Sequence, residues 1–128
     1  MSWQSILAIG SGGFIGAVAR AYLNGIFNKA LPHELPFGTL GVNVIGSLCI
    51  GILFAFFTYT TYFSTTVKSL LSTGIMGALT TYSTFALETF WLINQGSITL
   101  ATTNIFLNVS LTILSAGGGF KLVEQFYK

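Results

Sequence analysis

The sequence predicts an all-α membrane protein with four transmembrane helices, the third of them broken at its centre. Hydrophobic residues occupy 52% of the 128 positions and charged residues only 6%, and the mean hydropathy is +0.78. In soluble domains roughly a quarter of all residues are charged, so this composition excludes a water-soluble fold. Four apolar runs, at about residues 5–27, 38–62, 69–94 and 98–123, each reach the roughly 20 residues that cross the hydrocarbon of a bilayer.

The first run has no charged segment before it, so it is predicted to be a retained helix rather than a removable signal peptide.

Short links connect the four apolar runs. The first link, NKALPHELPFG at 28–38, holds both prolines and reads as a turn. The second, TYTTYFSTT at 58–66, has the aromatic composition of a membrane interface. The third is NQGS, 94–97. We therefore expect residues 1–128 to form one four-helix transmembrane domain.

The third run contains an unusual stretch, GALTTYSTF, at residues 77–85. Four hydroxyl side chains follow Gly77, a residue that weakens helices, inside a segment whose composition belongs in lipid. Irregular backbone at membrane depth is tolerated only where it is buried in protein or lines a polar cavity. The stretch therefore predicts a break in the third helix beside a polar path.

The charges are balanced across the predicted membrane. One side holds Lys68, Lys121 and Lys128, and the other holds Arg20 and Lys29. Because the positive-inside rule needs a larger bias to fix one orientation, the chain is expected to insert both ways and to form an antiparallel homodimer. The alternative is that one extra lysine suffices to orient it. A four-helix monomer of this size also has little interior in which to hide a polar path, and this favours an oligomer.

Two polar stripes follow the predicted helices. On the second helix, Thr39, Asn43 and Ser47 fall within an arc of about 80° at 100° per residue. The fourth helix carries a similar stripe of Asn104, Asn108, Thr112 and Ser115. Such residues also act as hydrogen-bonding contacts between membrane helices, and that alternative remains open for each position. Two aligned stripes beside a broken helix favour a path for a solute.

The chemistry of these stripes favours a small anion. Amide and hydroxyl groups donate hydrogen bonds to an anion, and the edge of an aromatic ring is the positive part of its quadrupole. Tyr82 and Phe85, three residues apart, could present such edges. The only acid expected within the spans is Glu88, so the carboxylate ring typical of a cation channel is absent.

Three segments resemble the Fluc/CrcB fluoride channels. GGFIGAVAR (12–20) is similar to the family's glycine-rich first helix ending in Arg, PFGTLGVNVIGS (36–47) to its GTLxVNxxG helix, and GALTTYSTFALE (77–88) to its GxxTTFSTF break. The segments occur in the family's order and cover nearly the whole chain. The resemblance implies a dual-topology homodimer in the plasma (inner) membrane, whose two pores pass fluoride passively out of the cytoplasm and exclude chloride.

The resemblance also implies roles for individual residues. Asn43 would be the pore-lining amide, Tyr82 and Phe85 the aromatic pair beside the fluoride, Thr112 part of the polar track on the fourth helix, and Arg20 a residue of the vestibule. The expected pathway further includes the neighbouring polar side chains of Thr39, Thr81, Ser83, Glu88 and Asn108.

A structural sodium ion is the one cofactor that the resemblance implies. Carbonyl oxygens of Gly77 and Thr80 from both subunits would hold it at the dimer centre. The chain departs from the family at Tyr82, where Phe is usual. The added phenol could donate to fluoride or bond a neighbouring threonine.

Two other classes of protein share some of these features. A small proton-coupled multidrug or cation antiporter has the same length and dual topology but needs a carboxylate deep in its first helix, where this chain has none. A non-transporting scaffold or holin-like protein would use the polar stripes only for packing. An enzyme is disfavoured because no activated nucleophile or metal cluster accompanies His33, the sole imidazole. The net charge of +2 is too small and scattered to indicate nucleic acid.

Overall fold

The computed structural model describes the whole chain, Met1–Lys128, and every regular element in it is helical. The elements, in chain order, are α1 (Trp3–Ala30), α2 (Phe37–Tyr59), α3 (Thr65–Ser69), a π-helical segment (Leu70–Met76), α4 (Gly77–Leu79), α5 (Tyr82–Asn94) and α6 (Ile98–Glu124). Three of them, α1, α2 and α6, are long and apolar enough to cross a membrane. The prediction of an all-helical membrane protein is thereby confirmed.

The third apolar run differs from a simple continuous helix. It comprises four shorter elements, and the π-helical segment Leu70–Met76 among them was not predicted from the sequence. Between α4 and α5 the backbone is extended, with φ −86° and ψ 155° at Thr80 and φ −147° and ψ 120° at Thr81. Because these angles lie outside the helical region, hydrogen bonding of the helical type stops at this point.

Polar side chains organise the links on either side of α2. Asn28 Oδ1, at the end of α1, accepts a hydrogen bond of 2.8 Å from the N–H of Gly38 in the first turn of α2. Within the first link, His33 Nδ1 accepts from the N–H of Leu35 at 3.0 Å. After α2, Thr60 is extended and Ser64 caps α3 by accepting from the N–H of Val67. The bonds to Gly38 and Val67 satisfy N–H groups that helix starts leave unpaired, and the bond to Leu35 satisfies one within the link.

Glycines set the distances between the long helices. A Cβ at Gly12 or Gly16 of α1 would overlap backbone oxygens of the π-helical segment. A Cβ at Gly51 of α2 would likewise overlap the carbonyl oxygen of Ala116 in α6. Missing side chains allow such backbone-to-backbone approach, which is a common mode of helix association in membranes.

The helices α2 and α6 run in the same direction, as shown by contacts between Asn43 and Asn108 near their starts and between Tyr59 and Glu124 at their ends. Only 23 of the 128 residues are buried. Large apolar side chains such as Phe14, Phe106 and Leu114 are exposed. A surface of this kind belongs against lipid or another protein, so the few buried polar residues stand out.

Candidate functional site

The extended backbone between α4 and α5 is held by an amide from α2. The N–H of Thr81 donates to Asn43 Oδ1 at 2.8 Å, and Asn43 Nδ2 donates back to the carbonyl oxygen of Thr81 at 3.0 Å. Both residues are 8% exposed. This amide therefore satisfies both the N–H and the carbonyl group that the end of the helix leaves unpaired at Thr81. A buried backbone group without a partner would cost roughly 1–3 kcal/mol. We call this pair of bonds the Asn43–Thr81 clamp.

A chain of buried hydrogen bonds continues from the clamp across α6 and back to α5. Asn43 Nδ2 donates to Asn108 Oδ1 at 3.2 Å, Asn108 Nδ2 donates to Asn104 Oδ1 at 3.0 Å, and Asn104 Nδ2 donates to Thr89 Oγ1 at 2.9 Å. The Thr89 hydroxyl in turn donates to the carbonyl oxygen of Phe85 at 2.7 Å. We call these four side chains, Asn43, Asn108, Asn104 and Thr89, the amide relay.

A groove of about 360 Å³ opens beside the clamp. It is lined by residues of α2, the π-helical segment, α4, α5 and α6, and by the two extended threonines: Asn43, Gly46, Ser47, Ile50, Ser72, Met76, Gly77, Thr80, Thr81, Tyr82, Phe85, Asn108, Val109 and Thr112. None of these side chains is charged. The lining is therefore made of hydroxyls, amides, aromatic rings and aliphatic groups.

Most hydroxyls of the groove already donate their hydrogens within the chain. The donors are Ser72 to the Lys68 carbonyl, Thr80 to the Met76 carbonyl, Thr112 to the Asn108 carbonyl and Thr81 to the Thr84 hydroxyl. Ser47 and Tyr82 line the same groove and make no such bond. Their hydroxyl hydrogens are free for a ligand. The sequence placed Ser47 on the stripe of α2, but it was not included in the expected pathway.

The aromatic pair lines the groove. The rings of Tyr82 and Phe85 meet edge to face, with centroids 5.5 Å apart and an interplanar angle of 68°. Phe85 is buried, whereas Tyr82 is 80% exposed. The hydroxyls of Thr80 and Thr81 bond elsewhere, so the Tyr82 phenol is not bound by a neighbouring threonine of its own chain.

A second cavity, of about 120 Å³, lies on the other side of the clamp. Its lining residues are Arg20, Ala21, Asn24, Thr39, Val42, Thr81 and Thr84. Thr81 lines both cavities, so the clamp forms the partition between them. Arg20 belongs to neither of the ion pairs in the chain, both of which involve Glu124. Its positive charge therefore stays available to this cavity.

Two buried polar atoms near the second cavity lack a hydrogen-bond partner, Thr39 Oγ1 and Glu88 Oε1. Thr39 is only 2% exposed. Because polar atoms are rarely left unpaired in a folded interior and the side chains of Thr39 and Glu88 lie within reach of each other, a direct bond between them or a bridging water would satisfy both.

The structure brings together most of the residues expected in the pathway. Six of them line the main groove or its partition: Asn43, Thr81, Tyr82, Phe85, Asn108 and Thr112. Arg20 and Thr39 line the second cavity. Ser83 and Glu88 line neither cavity: Ser83 is exposed on the first turn of α5, and Glu88 is half-buried further along it.

The carbonyl groups at the helix break suit a hard cation. In a continuous helix the Gly77 oxygen would accept from the N–H of Thr81, but that N–H donates to Asn43. The Thr80 oxygen accepts no hydrogen bond from the chain. Neutral oxygen ligands are the type that hard cations prefer, so the two residues fit a sodium ion in donor type. One chain supplies only these two oxygens, and further ligands must come from elsewhere.

The sequence suggested that Gly77 weakens the helix where it breaks, its missing Cβ permitting an unwound backbone, and this explanation is wrong. Gly77 has helical angles, φ −61° and ψ −36°, rather than an unwound conformation. A Cβ there would meet only the Ser72 oxygen, at 3.5 Å, which is an ordinary contact. The backbone leaves the helix three residues later, at Thr80, where the clamp rather than a missing side chain holds it.

Membrane-crossing helices whose uncharged polar groups converge on an interrupted backbone are typical of a membrane transport protein. Residues 7–120 match the family described as CrcB-like protein, Camphor Resistance (CrcB). The chain is 64% identical over 124 residues to a protein named fluoride-specific ion channel FluC from Sulfurimonas denitrificans, covering 97% of this chain and 96% of the relative. A protein of the same name from Nautilia profundicola is 48% identical, and the match covers 100% of both chains. Another from Campylobacter lari is 43% identical, and the match covers 94% of this chain and 98% of the relative.

The chain belongs to the CrcB-like family. The resemblance seen in the three sequence segments is thereby confirmed, as is the expectation that the protein is not an enzyme.

The contact between Gly46 and Thr80 gives a test of this site. A Cβ at Gly46 would overlap Thr80 Cγ2. We expect Gly46→Ala to destabilise the protein by about 1–3 kcal/mol, the usual cost of overpacking, measured as thermal unfolding in detergent. Thr80→Ser removes Cγ2, so the double variant should regain most of that stability. If Thr80→Ser fails to rescue Gly46→Ala, the extended threonine does not pack against α2 as described.

Proposed function

We propose that this protein is a fluoride-selective channel that lets fluoride leave the cytoplasm passively. The observation that carries the proposal is the uncharged groove of hydroxyl and amide groups that meets, across the Asn43–Thr81 clamp, a second cavity holding Arg20. The names of the relatives, fluoride-specific ion channel FluC, support the same function.

The lining of the groove suits a small anion that must lose water. A bare ion in hydrocarbon costs tens of kcal/mol, and each charge-assisted hydrogen bond returns about 1.5–3 kcal/mol. The free hydroxyls of Ser47 and Tyr82 can supply such bonds at once. The Asn43 amide hydrogens, held by Thr81 and Asn108, become donors when the ion replaces one of these acceptors. Arg20 raises the local concentration of anions at the second cavity.

The contents of the two cavities disfavour the antiporter alternative. Neither cavity is lined by a carboxylate, and α1 contains no acid. Exchange of a proton for a cationic substrate needs a carboxylate that both can reach. Glu88 is the only acid in the third apolar run and lines neither cavity.

We further propose that two copies of the chain pack antiparallel in the plasma (inner) membrane, each completing a pore of the other. In this arrangement α3 to α5 form a third membrane-crossing segment that is interrupted at its centre. The groove is open on the side where Tyr82 is 80% exposed. Polar backbone facing lipid would cost several kcal/mol per group, and a second copy would cover it. The nearly even distribution of basic residues supports insertion in both orientations.

We propose that a sodium ion lies at the centre of this dimer, and the carbonyl groups at the helix break support it. Two copies would supply four carbonyl oxygens, from Gly77 and Thr80 of each chain. The Thr80 oxygen has no donor within its own chain, so a shared cation would satisfy it without any acidic side chain. The role proposed for the ion is structural.

Replacement of Asn43 tests the path itself. Asn43→Asp keeps the shape but removes both amide donors and sets a carboxylate against the Thr81 and Asn108 oxygens. We expect fluoride efflux from proteoliposomes, read with a fluoride electrode, to fall about 100-fold or more. Asn94→Asp, a matched change at the exposed end of α5, should leave efflux unchanged. Efflux from Asn43→Asp at the wild-type rate would contradict the assignment.

The antiparallel dimer makes a prediction about topology. A tag at the C-terminus should be accessible to a membrane-impermeant label from both sides of the membrane in comparable amounts. Several lysines added to one link should drive all chains into one orientation and lower efflux, and mixing two oppositely biased variants should restore it. A tag confined to one side of the membrane would refute dual insertion.

The sodium proposal predicts dependence on the ion rather than on a side chain. Replacing sodium on both sides of the membrane by a large organic cation should slow fluoride efflux, and returning sodium should restore the rate. Thr80→Ser and Gly77→Ala leave the carbonyl oxygens in place, and they should keep this sodium dependence. Efflux that is indifferent to sodium, with no ion between the subunits in a crystal structure, would remove the site.

A further inference from the structure

The amide relay has ends that cannot reverse. At one end the backbone N–H of Thr81 can only donate, and it donates to Asn43 Oδ1. At the other end the carbonyl oxygen of Phe85 can only accept, and it accepts from the Thr89 hydroxyl. Each side chain between them donates to the next, in one direction.

This polarity fixes the orientation of every amide in the relay. A flipped Asn43 would point its NH₂ group at the N–H of Thr81. A flipped Asn104 would point its NH₂ group at the NH₂ of Asn108 and would take the Thr89 hydroxyl hydrogen away from the Phe85 carbonyl oxygen. Asn43, Asn104 and Asn108 are 8%, 0% and 5% exposed, so water cannot compensate for the mismatch, and a buried unpaired group is costly. The hydroxyl of Thr89 thus helps to select the orientation at the far end of the relay.

Two members of the relay lie away from the proposed path. Thr89 is 7% exposed, Asn104 is completely buried, and neither lines the groove or the second cavity. They cannot touch an ion there. They are bonded, however, to Asn108, which lines the groove and holds the amide of Asn43.

We propose that Thr89 and Asn104 are positioning residues for the ion path: through Asn108 they hold the Asn43 amide in the orientation that directs its hydrogens toward Thr81 and Asn108. That the path carries fluoride rests on the function proposed above, whereas the orientation of the amides does not.

A role in packing alone makes a different prediction. Polar residues often join membrane helices, and Thr89 and Asn104 do join α5 to α6. If that were all, their replacement would lower the stability of the protein without changing the surroundings of Asn43, which is two hydrogen bonds away from Asn104 along the relay and three from Thr89. The environment of the Asn43 amide therefore distinguishes positioning from packing.

Thr89→Val is the central variant, because valine has nearly the shape of threonine and lacks the hydroxyl. Thr89→Ser keeps the hydroxyl and loses a methyl group. Thr58→Val is a matched control, since the Thr58 hydroxyl also donates to the carbonyl four residues before it, at the same 2.7 Å, but is exposed at the far end of α2. Asn104→Leu removes the next member of the relay.

Two measurements are made on each full-length variant. Fluoride efflux from proteoliposomes reports the path, and the side-chain NH₂ signals of ¹⁵N-asparagine-labelled protein in micelles report the amides. We expect Thr89→Val to slow efflux about tenfold and to shift the NH₂ signals of Asn43 and Asn108. Thr89→Ser and Thr58→Val should stay within about twofold of wild type, a ratio well below the loss of one hydrogen bond.

Combining the variants adds a second check of the relay. Since Thr89 and Asn104 act through one relay, the double variant Thr89→Val/Asn104→Leu should be no slower than Asn104→Leu alone. Efflux reduced equally by Thr89→Ser, or reduced by Thr89→Val with the Asn43 signals unmoved, would overturn the positioning role. If the wild-type protein passes no fluoride, the proposed function fails, and the NH₂ signals still decide whether the relay orients Asn43.

Discussion

The pairing of one side-chain amide with one peptide unit supports the architecture around the groove. At Thr80 and Thr81 the backbone is extended, and both the N–H and the carbonyl of Thr81 need partners that no neighbouring turn supplies. Asn43 presents an oxygen and an NH₂ group side by side, as a peptide does, and so replaces the missing turn. The extended backbone, the partition between the two cavities and the start of α5 all depend on this clamp.

The surroundings of the clamp are polar but uncharged, and this has an energetic reason. A carboxylate at this depth would need a cationic partner or a proton, because an unpaired buried charge is far more costly than an unpaired dipole. Amides and hydroxyls bond to one another instead, as in the relay from Asn43 to Thr89. Such a network rigidifies the walls while leaving the hydroxyls of Ser47 and Tyr82 unbonded in the groove. A neutral lining discriminates by size and by the number of donors rather than by opposite charge.

The sequence was informative where one helix or one short segment determines the outcome. Helical spacing placed Asn43 and Asn108 on polar stripes, and the structure joins them by a hydrogen bond. Hydropathy indicated the spans of α1, α2 and α6, because length and composition alone decide them. The matching segments of the sequence identified the family, which the comparisons confirm.

Features that depend on packing between elements were not predictable in this way. The π-helical segment Leu70–Met76 has no signature in composition, and it packs against Gly12 and Gly16 of another helix. The sequence pointed to the flexibility of Gly77 as the cause of the helix break, but Gly77 is helical. The break is held instead by Asn43, which binds Thr81 from 38 positions away in the sequence. Thr89 was overlooked since a lone threonine in an apolar run carries no pattern, and its meaning comes only from Asn104.

The π-helical segment also constrains how this chain can change over time. A π-helix differs from an α-helix by about one extra residue in its turn, so loss of a single residue between Leu70 and Met76 would restore α-helical winding. The wide turn already absorbs that residue, so the helical turns before and after the segment would keep their relative facing, and Thr81 could still meet Asn43. The contacts that Gly12 and Gly16 make with the backbone of Leu70 and Ile75, inside the segment, would be lost. In this region the number of residues is under stricter control than their identity, and length variation among descendants of this chain belongs in the links.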